Sequence, residues 1–212
     1  MSQPFTPAMQ FASADRQRLA GQLGMWIFLA TELMFFGPLF LAYAYGRLRF
    51  PDAFAAASRQ TDVALGTINT AILLTSSLTM VLALERAREG LRRAARVMLV
   101  LTALLGCAFL VLKGMEYAQD WSHALVPGVR FGSIGTTSGQ MELFFCLYFA
   151  TTGLHAVHLT IGIVMALVFA ARLNRAREAL PRRLEIGALY WHFVDAVWIF
   201  LYPLLYLVGR SA

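Results

Sequence analysis

The 212 residues are 58% hydrophobic and only 14% charged, and the 18 Lys and Arg outnumber the 12 Asp and Glu to give a net charge of +6. This composition excludes an ordinary water-soluble domain and is typical of a protein that crosses the membrane several times. The positive charge does not indicate nucleic-acid binding, because most basic residues lie in short segments between apolar runs, where they set topology. The two cysteines, Cys107 and Cys146, lie inside apolar runs and lack the spacing of a disulfide framework or metal site.

The first apolar run, residues 21–45, carries a single charge, Glu32. A helix over this run is roughly 37 Å long, enough to cross a hydrocarbon core of about 30 Å. Glu32 would lie close to the middle of the membrane, where an ionised carboxylate costs about 2.5 kcal/mol or more. We therefore expect Glu32 to face protein, either as a neutral acid hydrogen-bonded within a bundle or as a functional group.

Four more apolar runs follow, and the five together predict an all-α bundle of transmembrane helices that forms a single domain over residues 1–212. The predicted spans are residues 19–45, 62–84, 94–117, 140–171 and 186–208. Twelve of the 18 basic residues lie in the N-terminal segment and in the second and fourth loops, and the other six lie on the opposite side. The excess of positive charge predicts that the N-terminus lies inside and the C-terminus outside.

Two histidines, His155 and His158, stand three residues apart in the fourth span and would share a helix face. One of them could hold a lone haem together with His192 of the fifth span. A chain with four histidines has too few for a centre that reduces oxygen with haem and copper. Hydrogen-bonded bundle residues are the alternative that we favour.

Titratable residues of three spans fall at similar depths in the membrane. Counted from the inner face, Asp195, Glu32 and His158 lie roughly 14, 17 and 20 Å deep. Because an unpaired carboxylate is costly there, we expect Glu32 to pair with His158 or His192, with Asp195 close by. Each span after the first also carries a stripe of small or polar residues at helical spacing, such as Lys113 and Glu116 in the third; bundle packing is the simplest interpretation of such stripes.

Five stretches of the chain resemble subunit III of the haem-copper cytochrome c oxidases. They are LGMWIFLATELMFF (23–36), NTAILLTSS (69–77), KGMEY (113–117), FATTGLHAVHLTIG (149–162) and YWHFVDAVWIFLYPLLYL (190–207). They occur in the family's order and cover nearly the whole chain. The first and last are highly specific. The chain resembles the short bacterial form, which lacks the first two of the seven spans of the mitochondrial protein.

The resemblance implies an accessory subunit without a catalytic residue, cofactor or metal of its own, in a terminal oxidase of the bacterial inner membrane. Haem and copper would be held by partner subunits. The implied partners are subunit I, as the main contact, subunit II, small subunits and membrane phospholipids. The implied role is to keep the catalytic subunit active over many turnovers and to support proton uptake from the inner side.

The same resemblance assigns motif positions to individual residues. Glu32 falls on the family's membrane-buried glutamate, which reacts with carbodiimide. The other motif positions are Glu116, His155, His158, His192 and Asp195. Family members bind phospholipid in a cleft between the first two spans and the rest, so here another subunit would have to supply the missing wall.

Two alternatives stay open from the sequence. Within the family, the chain could serve a quinol oxidase or a relative associated with nitric oxide reductase instead of a cytochrome c oxidase. Outside the family, Glu32 and the histidines could serve a stand-alone transporter or proton channel. The chain lacks the paired half-repeats that many transporters have, which weighs against the second alternative.

Overall fold

The computed structural model describes residues 14–128, 130–131, 138–173 and 180–210. Its helices are α1 (Ala14–Arg49), α2 (Pro51–Ser58), α3 (Val63–Arg88), α4 (Arg92–Ser122), α5 (Ser138–Arg172) and α6 (Leu180–Tyr202), and a π-helix (Pro203–Leu207) continues α6. Between α4 and α5, β1 (Leu125–Val126) and β2 (Arg130–Phe131) form a two-residue antiparallel pair.

Five helices in these ranges are long and apolar enough to cross a membrane, which agrees with the predicted all-α architecture. The helices extend beyond the predicted ends of the first three spans. Arg47 and Arg49 lie in the last turn of α1, and Arg86 and Arg88 lie in the last turn of α3. Arginines at these positions interact favourably with the helix dipole and extend along apolar surface to reach water, so the helix continues after hydropathy falls.

The short helix α2 was not predicted, because eight residues are too few for a periodic apolar pattern. Pro51 occupies its first turn, where a missing N–H costs nothing. Phe54 is fully buried, and its ring centroid lies 5.5 Å from those of Tyr43 in α1 and Phe144 in α5. Helix α2 therefore packs against the ends of both α1 and α5.

Helices α3 to α6 form a four-helix bundle in which α3 and α5 each pack against both α4 and α6. Hydroxyl groups join the helices. Thr79 of α3 lies 2.8 Å from Thr102 of α4, between their hydroxyl oxygens. The indole N–H of Trp198 in α6 donates to Thr70 of α3 at 3.0 Å. Such bonds satisfy polar groups that hydrocarbon could not.

The two ends of α3 are set by local sequence signals. Asp62 caps its N-terminus, accepting hydrogen bonds from the backbone N–H groups of Ala64 and Leu65 at 2.9 and 3.1 Å. After its C-terminus, Gly90 turns the chain toward α4 with a φ of +79°, a conformation that glycine adopts without strain. These signals hold α3 and α4 as an antiparallel pair.

Helix α1 lies outside this bundle and contacts α5 and α6. Only 11% of its most apolar window is buried, compared with 50% for the last span. Its exposed large side chains include Trp26, Leu33, Met34 and Leu41. An apolar helix with so little cover must meet lipid or another protein on its open faces.

The π-helix follows from Pro203, which has no N–H to donate and so widens the turn. Two of its carbonyl oxygens are used by other helices. Ser58 of α2 donates to the carbonyl of Leu205 at 2.9 Å, and Tyr43 of α1 donates to that of Leu204. The widened turn therefore receives bonds from α1 and α2 and fixes the end of the bundle.

Candidate functional site

Glu32 of α1 is directed toward α5. Its Oε2 lies 2.8 Å from Nε2 of His158, and the side chains are 18% and 10% exposed. One turn further along α1, the buried ring of Phe36 lies 5.4 Å from the His158 ring. The carboxylate therefore has a polar partner and an apolar cover, as a carboxylate at this depth requires.

Both nitrogens of His158 are engaged. Its Nδ1 lies 2.9 Å from the carbonyl oxygen of Leu154, so Nδ1 carries a proton and donates. At Nε2 the ring can then either accept a proton from neutral Glu32 or, as imidazolium, donate one to the carboxylate. The Tyr190 hydroxyl donates to the His158 carbonyl at 3.0 Å, which links α6 to the pair. The arrangement can hold one proton between two groups.

His192 and Asp195 of α6 do not join this pair. Nδ1 of His192 lies 2.6 Å from the Ser77 hydroxyl of α3. Ser77 is also near enough to Asp195 to interact with it, but neither carboxyl oxygen of Asp195 has a hydrogen bond in the described part of the chain. Of the two partners expected for Glu32, His158 lies within hydrogen-bonding distance of it, whereas His192 contacts Ser77.

His155 and His158 make different contacts, although they lie only three positions apart in α5. His155 is fully buried between Phe109 and Trp198, with ring centroids at 5.5 and 5.2 Å. Neither of its ring nitrogens has a hydrogen bond to another described residue. His155 is therefore placed inside the four-helix bundle, and His158 on its α1 side.

The sixth expected position, Glu116 of α4, is part of a second buried cluster. Its Oε2 accepts from Lys113 Nζ at 3.0 Å, and its Oε1 accepts from the hydroxyls of Tyr148 and Tyr206 at 2.7 Å each. Lys113 also donates to those hydroxyls, at 2.8 and 2.6 Å. The two charged side chains are 2–3% exposed. All three ammonium protons are donated in hydrogen bonds. The buried ion pair therefore carries no net charge and is fully hydrogen-bonded.

Sequence reasoning named Glu116 but missed Lys113, Tyr148 and Tyr206 as its partners. One signal was available, since a Lys and a Glu three residues apart in an apolar span lie on one helix face. The tyrosines belong to α5 and the π-helix, so only the packing of three elements brings them together.

An apolar groove of about 380 Å³ lies between α1 and α6. All of its lining side chains are apolar, and Phe36, which covers His158, is one of them. The others are Trp26, Leu29, Ala30, Leu33, Phe40, Phe193, Ala196, Val197 and Phe200. A groove with this lining suits a hydrocarbon chain.

No group of three or more His, Cys, Asp or Glu side chains converges as a metal site in ranges 14–128, 130–131, 138–173 and 180–210. Cys107 and Cys146 are free and exposed on the outside of the bundle. His158 is held by Glu32 and Leu154, and His192 by Ser77. The histidines suggested as haem ligands therefore each contact different residues.

Comparison with known proteins relates these features to a family. The family model described as cytochrome c oxidase subunit III matches residues 16–210. The chain is 32% identical to cytochrome c oxidase subunit 3 of Alkalihalophilus pseudofirmus, over 92% of this chain and 91% of that protein. It is also 32% identical to quinol oxidase subunit 3 of Bacillus spizizenii, over 88% and 86% of the two chains.

A third relative is a longer protein. The chain is 31% identical to heme-copper oxidase subunit I+III of Aeropyrum pernix, over 87% of this chain and 22% of that protein. The match thus takes up about a fifth of the longer protein.

Proposed function

The chain belongs to the cytochrome c oxidase subunit III family, and from that premise we propose that it is a non-redox accessory subunit of a proton-pumping haem-copper terminal oxidase. The observation that carries the proposal is the family match over residues 16–210, which includes both buried carboxylate clusters. Haem and copper belong to partner subunits in this proposal. The chain itself supplies packing surface and proton-holding groups.

The main partner is subunit I. Helix α1 supports this, because its large apolar side chains are exposed and only 11% of its apolar window is covered within the chain. The name of the Aeropyrum pernix relative supports it too, because that name joins subunits I and III. Subunit II and small subunits complete the complex.

The pair of Glu32 and His158 supports proton uptake by the catalytic subunit. The two side chains can hold one proton between them, and the Glu32 and His158 side chains are 18% and 10% exposed. They can therefore exchange that proton without unfolding the bundle. Subunit I remains active over more turnovers because this chain covers its lipid-facing surface.

The groove between α1 and α6 holds an acyl chain of a membrane phospholipid. Its volume of about 380 Å³ and its wholly apolar lining favour hydrocarbon over any polar ligand. In this proposal, a partner subunit covers the lipid from the other side.

Cytochrome c is the proposed electron donor, and a quinol is the alternative. The relatives named for the two kinds of oxidase are equally similar, at 32% identity each, so identity does not separate them. The excess of basic residues in the N-terminal segment and in the second and fourth loops favours an orientation with the N-terminus inside. The bacterial sources of these two relatives favour the bacterial inner membrane as the location.

Purification of the tagged chain from its native membrane tests the proposal. We expect haem-containing subunits to co-elute and to give a reduced-minus-oxidised haem spectrum, with oxygen consumption on addition of reduced cytochrome c. Oxygen consumption with a quinol alone would identify the alternative donor. Elution without haem, together with solute or proton flux in liposomes that hold only this chain, would establish the transporter reading instead. The same preparation from cells with the untagged chain is the control.

A further inference from the structure

A partly exposed polar pair lies between α3 and α6, in the middle of the membrane-spanning part of the chain. It consists of Ser77 of α3 and His192 of α6, with the Ser77 hydroxyl oxygen 2.6 Å from His192 Nδ1. At about 1.5 Å per residue, Ser77 lies roughly 21 Å from the start of α3 and roughly 16 Å from its end. The pair therefore lies inside the hydrocarbon core, beyond the reach of lipid headgroups.

One nitrogen of His192 lacks a hydrogen-bond partner. Its Nδ1 contacts Ser77, but its Nε2 has no hydrogen bond within the described part of the chain. Nor is Nε2 among the enclosed atoms, as both ring nitrogens of His155 are, so it is accessible at the surface. Each imidazole nitrogen either donates or accepts a hydrogen bond, and hydrocarbon can do neither. Nε2 therefore requires a partner from outside the chain.

The surface around this pair is apolar. Leu74 and Val81, one turn before and one turn after Ser77 in α3, are 51% and 40% exposed. Ile199, two turns after His192 in α6, is 47% exposed. A polar group surrounded by apolar side chains is typical of a contact between membrane helices, in which packing supplies the area and a hydrogen bond fixes the position.

The position of the pair on α6 indicates what covers it. Ala196, one turn after His192, lines the groove between α1 and α6, which a partner subunit covers in the proposed function. Positions four apart differ by about 40° around a helix, so a subunit that covers Ala196 also reaches His192. Lipid tails would fill the same surface without supplying a hydrogen bond. A polypeptide helix with a polar side chain matches both the apolar surface and Nε2.

We propose that the surface around Ser77 and His192 docks a transmembrane helix of a partner subunit, whose hydroxyl, amide or carboxyl side chain hydrogen-bonds with His192 Nε2. The inference rests on the proposed function, because that function places the chain in a complex with other membrane subunits. It adds which face of α3 and α6 the partner contacts and what kind of side chain the partner presents there.

Photochemical crosslinking in the native membrane tests the docking surface. Leu74 is replaced by the photoreactive amino acid benzoylphenylalanine, the membranes are irradiated, and the adducts of the tagged chain are identified by mass spectrometry. We expect an adduct with a membrane-spanning segment of another subunit, within one turn of a side chain that can hydrogen-bond. The matched control is the same replacement of Ile161, which is 54% exposed on α5, and it should give a lower yield of that adduct.

Substitution of His192 tests the hydrogen bond itself. A hydrogen bond between membrane helices changes association by roughly threefold, so we expect His192→Leu to lower the yield of the position-74 adduct about threefold. His192→Gln keeps a hydrogen-bonding group and should retain the yield. Thr160→Val is the matched control, because the Thr160 hydroxyl is exposed on α5 but already donates to the carbonyl of Ala156 at 2.7 Å. If His192→Leu fails to fold, the adduct of the parent at position 74 decides.

The outcomes separate this inference from the proposed function. Adducts of position 74 with lipid alone, or with a second copy of the tagged chain, would overturn the docking surface, and so would equal yields from the parent and folded His192→Leu. If haem co-elutes in those cases, the proposed function stands. An adduct with another subunit in a preparation without haem would support the docking surface and overturn the oxidase role.

Discussion

Glu32 Oε2 and His158 Nε2 meet at 2.8 Å although 126 residues separate them in the chain. The bond joins α1, the least buried span, to the four-helix bundle. The proposed proton site is therefore also a polar attachment of α1 to the bundle.

Replacement of Glu32 separates these two roles. We expect Glu32→Gln to leave the complex assembled, because an amide can still hydrogen-bond with His158 Nε2 while losing the exchangeable acid proton. Glu32→Ala leaves His158 Nε2 unpaired and should cost about 1–3 kcal/mol. The haem-to-protein ratio after purification and the thermal midpoint measure assembly. If Glu32→Gln abolished assembly, the carboxylate would have to be charged and structural.

Carbodiimide labelling should distinguish the two buried glutamates. An apolar carbodiimide modifies protonated carboxyl groups that it can reach from the lipid. The side chain of Glu32 in α1 is 18% exposed, whereas that of Glu116 is 2% exposed and paired with Lys113. We expect peptide mass spectrometry to find the adduct on Glu32 and none on Glu116. Glu32→Gln is the control, since it should remove the adduct, and an adduct on Glu116 would contradict the enclosed ion pair.

The five spans were predictable because an apolar run of about 20 residues or more is typical of a transmembrane helix. The depth of Glu32 followed from the rise per residue of a helix. The same depth argument named His158 as one of two partners. It could not choose between His158 and His192, because depth says nothing about which way a helix faces.

The rotation of each helix accounts for what sequence reasoning missed. Residues three apart differ by about 60° around a helix, which lets His155 face Phe109 and Trp198 while His158 faces Glu32. Tyr206 reaches Lys113 from a π-helix, whose wider turn no hydropathy pattern reveals. Such contacts depend on tertiary packing.

Lys113 should contribute to the stability of the second cluster only while Glu116 is charged. Lys113→Met leaves the Glu116 carboxylate buried and uncompensated, and we expect a loss of about 3–5 kcal/mol in stability. Lys113→Met combined with Glu116→Gln removes both charges and should restore most of that loss. Thermal unfolding of the two variants, with Glu116→Gln alone completing the cycle, measures the coupling. A double variant no more stable than Lys113→Met would show that the charges are not coupled.

Gly66 of α3 tests whether the end of the bundle is as closely packed as the structure indicates. A methyl group there would lie 2.9 Å from a ring carbon of Tyr206 and 3.0 Å from one of Tyr202. We expect Gly66→Ala to push Tyr206 away from Lys113 and to cost about 1–3 kcal/mol by overpacking. The matched control is Gly114→Ala, where an added methyl meets no atom within 4 Å. The thermal midpoint of each variant in detergent is the measurement. The close approach of α3 to Tyr206 would be disproved by a Gly66→Ala protein that unfolds at the same temperature as Gly114→Ala.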